Sequence, residues 1–197
     1  MTVKKNSTHR HRHPLLEQLI ADISAHPEQT FLPFWGPIPT LGKLVGKGCL
    51  CQWWDSPFGV DGIRYQTAEH YMMAEKARLF GDHAMAAKIA QSKDPSDAQY
   101  LGRKVHGYDD SIWVAARFDI VVQGNYYKFS QHPELRDYLL ATGNSILVSA
   151  NPTDSVWSIG YDEDHPYVSQ PERWRGANLL GFALMQVRAQ LQAAPSD

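Results

Sequence analysis

Cysteine is nearly absent from this chain of 197 residues, with Cys49 and Cys51 the only two. One intervening residue suits neither a disulfide framework nor a zinc site. A stapled secreted scaffold and a zinc module are therefore set aside, and a reducing, cytoplasmic setting is expected. Long apolar runs are missing too. Nothing reaches the roughly 18 residues that a membrane-crossing helix needs, and the basic first residues lack the apolar stretch of a secretory signal. Nor is there an excess of positive charge. The formal net charge is −2 with histidine neutral, so no global field draws in nucleic acid or a membrane surface, and any anionic partner must meet a local cluster of Arg and Lys. No repeat and no long linker divides the chain, which argues for one domain.

What the chain does have is core material. The hydrophobic share is 43%, including six Trp, nine Tyr and seven Phe, unlike a disordered chain. Residues 1–13 stand apart as a basic tail, carrying Lys4, Lys5, Arg10 and Arg12 with alternating His9, His11 and His13. Such an alternation has nothing to orient its rings toward a metal, and no metal is expected. A helix is predicted from Pro14, with Leu15, Leu16, Leu19, Ile20 and Ile23 as its apolar stripe. Residues 31–48 read as a turn-rich connector. Its Gly42 to Gly48 stretch falls short of a phosphate loop, being one residue too tight and lacking Ser or Thr after Lys47.

Cys49 to Trp54 and Val60 to Tyr65 are predicted as short strands joined through Ser56-Pro57-Phe58-Gly59, forming a small antiparallel ribbon. Helices are predicted at 67–79, 82–91, 95–105, 110–122, 133–141 and 176–193. Ile146 to Ser149 and Val156 to Ile159 read as edge strands or extended segments. The fold class that follows is α+β, a helix-rich single domain with short antiparallel β elements.

The richest stretch runs from Gly62 to Arg78. Glu69, Met72, Met73 and Lys76 stand at i, i+3, i+4 and i+7, which the helical period stacks along one face. Thr67 is placed to cap that helix, so Glu69 lies in the first turn, where the dipole favours its ionised form. Only burial would raise its pKa toward neutrality. A second group, Asp154 to Trp157, sits in a loop where an aromatic ring could stack on a base and an acid could hold a ribose hydroxyl. Gly102-Arg103-Lys104 and Arg173-Trp174-Arg175 are compact cationic groups suited to phosphate. Trp113 lies in an apolar helix pattern and reads as core.

The order of these signatures resembles the NADAR family, also called YbiA-like proteins. The matching segments are Asp61-Gly62 before Tyr65, Ala68-Glu69-His70-Tyr71-Met72-Met73 with Lys76, and Gly102-Arg103-Lys104-Val105 before Trp113. They continue with Lys128-Phe129, Pro133-Glu134-Leu135, Leu139 to Gly143, Asp154 through Trp157 with Ile159-Gly160, and Trp174 through Gly181. Together they span about residues 49–190. The resemblance implies three segments: a tail at 1–13, an N-terminal helix and Pro/Gly-rich connector at 14–48, and a YbiA-like catalytic domain at 49–192.

It further implies an enzyme, an N-glycosidase cleaving an N-glycosidic bond at a ribose without a cofactor. The substrate would be ADP-ribosylated guanine in nucleic acid or a phosphoribosylamino-pyrimidine intermediate of riboflavin synthesis, with single-stranded nucleic-acid ends as a further partner. By the same resemblance Glu69 is the leading catalytic residue. Lys76 would assist at ribose C1, as an electrostatic partner or by capturing the opened sugar. Asp154, Trp157, Asn178 and Trp54 fall to substrate binding, with Arg103 and Lys104 toward phosphate. Two positions depart from the family pattern, Ser149 where many relatives have Glu and Ser158 where Gly commonly follows the Trp. The Ser149 departure keeps a second reading open, a catalytically weakened ADP-ribose or nucleotide-binding module.

Overall fold

The structure is a computed structural model that describes residues 12–25, 27–39 and 45–194. Most of the basic tail, including Lys4, Lys5, His9, Arg10 and His11, and the Gly42-Lys43-Leu44 part of the connector lie outside the described residues. Each predicted helix is present. Helix α1 covers Pro14–Ala25, α2 Ala68–Leu79, α3 His83–Ala90, α4 Pro95–Gly102, α5 Asp110–Gln131, α6 Pro133–Ala141 and α7 Leu179–Ala193. Four short strands accompany them, β1 at Phe31–Phe34, β2 at Phe58–Val60, β3 at Ile63–Tyr65 and β4 at Ile146–Ser149. The molecule is a helix-rich α+β domain.

Helix α2 is the centre of the fold. Thr67 caps it as its spacing predicts, the hydroxyl accepting from the His70 N–H at 3.4 Å, and the imidazole Nδ1 lies 2.9 Å from the same hydroxyl. Ala68 through Ala74 and Ala77 are all buried, so the helix is sheathed almost all round, as core helices are. It packs on α3, α4 and α5, and α5 packs in turn on α7.

Helix α5 runs well past the predicted stop. Gly124 reads as a breaker in sequence, but the ring of Tyr71 on α2 lies against it, and a Cβ there would come within 2.6 Å of the ring. The glycine marks a close helix crossing. Near its end, the buried Lys128 ammonium donates to the carbonyls of Cys49 at 2.6 Å and Cys51 at 3.0 Å.

That contact corrects the expected strand at Cys49 to Trp54. Lys47–Leu50 form a short 3₁₀ turn, and this turn and the one that follows aim the Cys49 and Cys51 carbonyls at one cation instead of at a neighbouring strand. The antiparallel ribbon is real but built elsewhere. Strands β2 and β3 pair Phe58 with Tyr65 and Val60 with Ile63, and Asp61-Gly62 is the turn. Both turn residues have positive φ, 50° and 77°, as a two-residue type I′ hairpin requires.

A second pairing was not expected. Strand β1, inside the segment read as a connector, pairs in parallel with β4 from Phe31↔Ile146 to Phe34↔Ser149. The expected extended segment at Val156 to Ile159 is instead a chain of bends. Its carbonyls at Val156, Trp157 and Ser158 receive N–H groups of Leu179, Leu180 and Asn178 at the start of α7. The segment is spent on capping a helix, and no strand forms.

Candidate active site

The α2 face carrying Glu69, Met72, Met73 and Lys76 forms one wall of a cleft of about 520 Å³. Four other regions close it. The end of β1 brings Phe34 and Trp35, the turn after the 3₁₀ segment brings Cys51, Gln52 and Trp53, and α4 with the start of α5 brings Gln99, Arg103 and Trp113. The far side holds Ser149, Asp154, Trp157 and Ser158.

Glu69 is 3% exposed. Its backbone N–H donates to the Gln52 carbonyl at 3.1 Å, which anchors the first turn of α2 to the cleft floor. One carboxylate oxygen, Oε1, has no hydrogen-bond partner among the described residues. Burial raises the carboxyl to about 7, the Asp154 charge pushing the same way while the Trp53 and Gln99 side chains and the Arg103 charge oppose it. Burial, the condition that sequence alone could not supply, is present. At neutral pH the group both holds and releases a proton readily.

Lys76 donates to the Gly102 carbonyl at 3.0 Å. Its ammonium lies 4.4 Å from the centre of the Tyr108 ring and 5.5 Å from that of Trp113. Burial, helped by the Arg103 charge, lowers its pKa, which favours a neutral amine more than at an exposed lysine. Asp154 uses Oδ1 to accept the N–H groups of Val156 at 2.8 Å and Trp157 at 2.9 Å, so the loop that presents the indole is tied down. The Ser149 and Ser158 hydroxyls lie 2.6 Å apart, both buried.

The cleft therefore gathers Glu69, Lys76, Arg103, Asp154 and Trp157. It does not gather the other candidates. Lys104 is exposed, its ammonium 2.6 Å from the Tyr100 hydroxyl and over that ring. Trp54 packs against the core and is absent from the lining. Asn178 is fully buried behind the wall, accepting from the Ser149 N–H and donating to the Leu147 carbonyl, both at 2.9 Å. Its amide stands in for a strand neighbour along β4. Arg173 and Arg175 lie over the rings of Tyr167 and Tyr161. Among the described residues no three His, Cys, Asp or Glu side chains gather as a metal-ligand group.

A family model for the NADAR domain matches residues 34–192. The chain belongs to the NADAR family. Among its NADAR relatives is N-glycosidase R617 of Acanthamoeba polyphaga mimivirus, 41% identical over 153 residues that cover 75% of this chain and 90% of that protein. Another is N-glycosidase YbiA of Escherichia coli, 32% identical over 135 residues, covering 68% and 76% of the two chains. The chain is also 31% identical over 139 residues to the maize chloroplastic riboflavin biosynthesis protein PYRR, of which it covers 20%. An NMR structure of E. coli YbiA superposes with a TM-score of 0.66 at 28% identity, covering 83% of this chain and 86% of that one.

Sequence reasoning passed over several residues of this NADAR cleft. Trp113 is indeed buried, yet it also lines the cleft beneath Lys76. Gln99 stands one helical turn before Arg103, and its side-chain oxygen accepts from that guanidinium at 3.0 Å, an i, i+4 spacing that was legible. Gln52 and Trp53 lie in turns within the segment expected as a strand, and Trp35 follows a strand in the segment expected as a connector.

Proposed function

We propose that the cleft hydrolyses the bond between C1 of a ribose and the nitrogen of a base or amine. The chain is an N-glycosidase on this reading. The observation that carries it is Glu69, a buried carboxyl with a free oxygen, facing a cleft whose other polar walls are Lys76, Arg103 and Asp154. The names of its relatives, N-glycosidase in a mimivirus and in E. coli, support the same chemistry.

Breaking a ribose–nitrogen bond builds positive charge at C1 and negative charge on the departing nitrogen. Ionised Glu69 stabilises the first and takes a proton from the water that attacks C1, and that proton then passes to the departing nitrogen, which returns Glu69 to its ionised form. The Trp157 indole offers a stacking surface for the leaving base, while Arg103 anchors phosphate away from the reacting bond, where binding energy fixes geometry. Lys76 stands two turns further along the same helix face, its lowered pKa suiting it to meet the opened sugar. Residues 49–192 form the catalytic domain, with Trp35 adding to its rim. Two unpaired thiols, Cys49 and Cys51, fit a cytoplasmic setting.

Two substrates fit this chemistry, ADP-ribosylated guanine at single-stranded ends and a phosphoribosylamino-pyrimidine. The maize relative's riboflavin name supports the second, and an aromatic cleft of this size admits the first. Incubating the protein with each and following release of the base or amine separates them. Release from at least one is expected. Saturable ADP-ribose binding with release from neither would leave a binding module in place of an enzyme.

A further inference from the structure

Four buried side-chain polar atoms lack a hydrogen-bond partner among the described residues. Three of them, Gln52 Nε2, Glu69 Oε1 and Asn125 Oδ1, belong to residues linked to one another, with Gln52 and Glu69 lining the cleft and Asn125 buried behind them. Native proteins pair nearly all such groups, so a cluster of exceptions calls for a reason.

The orientation of the Gln52 amide is forced by its neighbours. The Val121 carbonyl, which can only accept, takes the Asn125 Nδ2 at 2.8 Å, and the same nitrogen donates to Gln52 Oε1 at 2.7 Å. Turning Asn125 over would set two acceptors against each other at Val121. The Gln52 oxygen is thereby committed, and its NH₂ group is left as the free donor. Gln52 is 8% exposed and lines the cleft with Glu69, whose N–H is bonded to the Gln52 carbonyl. A free donor and a free acceptor thus sit on residues joined through their main chains. A phosphate or carbonyl oxygen would satisfy the amide but press a second acceptor on the carboxylate. A single O–H group lying between them would satisfy both.

We propose that Gln52 Nε2 and Glu69 Oε1 together clamp one O–H group in the reaction, the amide donating to its oxygen and the carboxylate accepting its proton. The group is either the attacking water or a hydroxyl of the substrate ribose. Gln52 is then a substrate- or water-binding residue, and Asn125 positions it. This inference rests on the N-glycosidase reading of the cleft.

The test measures kcat and KM for Gln52→Glu and Gln52→Met, with Glu69→Gln alongside, on the substrate that the protein hydrolyses and on analogues lacking one ribose hydroxyl at a time. Gln52→Glu keeps shape and the acceptor for Asn125 while replacing the donor, and Gln52→Met removes both. Thermal melting identifies whichever variant folds as wild type. If water is held, kcat falls about tenfold to a hundredfold with KM unchanged. If a ribose hydroxyl is held, KM rises by a similar factor, and the deficit shrinks on the analogue lacking that hydroxyl. Either result supports the clamp. Folded Gln52 variants within twofold of wild type in both constants, beside an inactive Glu69→Gln, would overturn it alone. A fully active Glu69→Gln would overturn the underlying reading and the clamp with it.

Discussion

Asp154 holds Trp157 by its backbone, one carboxylate oxygen accepting the Trp157 N–H at 2.9 Å. The same residue raises the proton affinity of Glu69 through its charge, and Arg103 lowers it. The cleft's electrostatics and its stacking surface are thus set partly by one side chain.

Opposite shifts in the pH profile follow. With ionised Glu69 as the working form, kcat/KM should climb as pH rises through about 7. Asp154→Asn keeps an oxygen for the Val156 and Trp157 N–H groups but removes the charge, so the rising limb should move to lower pH. Arg103→Ala should move it to higher pH. Steady-state rates between pH 5 and 9 check this, and shifts of the same sign would count against it.

Glu69 should cost stability wherever it is charged. Its carboxyl titrates near 4.5 in the ordinary state and at about 7 in the fold, so between those values the native state keeps a proton that the unfolded chain has lost. Stability therefore falls as pH rises through that window and is lowest above it. Glu69→Gln should be more stable than wild type at pH 8, by up to about 3 kcal/mol, and no more stable near pH 4. Urea unfolding at the two pH values measures the difference.

Lys128 is the buried prop of the turn that carries Cys51, Gln52 and Trp53. Lys128→Met leaves the Cys49 and Cys51 carbonyls without their donor, and a loss of about 1–3 kcal/mol is expected. A melting curve matching wild type would show that the turn holds without it.

Arg103 and Lys104 are neighbours in sequence with different positions in space. Arg103 lines the cleft, and Lys104 stacks on Tyr100 outside its lining. Arg103→Ala should raise KM for a phosphate-bearing substrate at least several-fold more than Lys104→Ala does. Equal effects would place the phosphate beyond the cleft mouth.

Legibility followed the range of the interactions. The cap at Thr67 and the 69/72/73/76 face are local and periodic, so both could be read directly. Asp61-Gly62 was also local, and its hairpin signal was outweighed by apolar runs on either side. Gly124 looked like a stop because nothing in sequence reveals the Tyr71 ring lying on it. The β1–β4 pair joins distant segments with no alternation to betray it, and Pro33 argued against a strand. The site was legible as residue types, but the burial that lifts Glu69 and the wall that hides Asn178 come from tertiary packing. The Gln52 amide depends on Val121 and Asn125, one turn apart on a distant helix.

The central claim is that Glu69 performs the chemistry of N-glycoside cleavage, and turnover by Glu69→Gln tests it most directly. With ADP-ribosylated guanine oligonucleotide and phosphoribosylamino-pyrimidine as substrates, the rate of base or amine release should fall about a hundredfold to ten-thousandfold, with binding retained and the fold intact. A folded Glu69→Gln that releases product at close to the wild-type rate would contradict the claim.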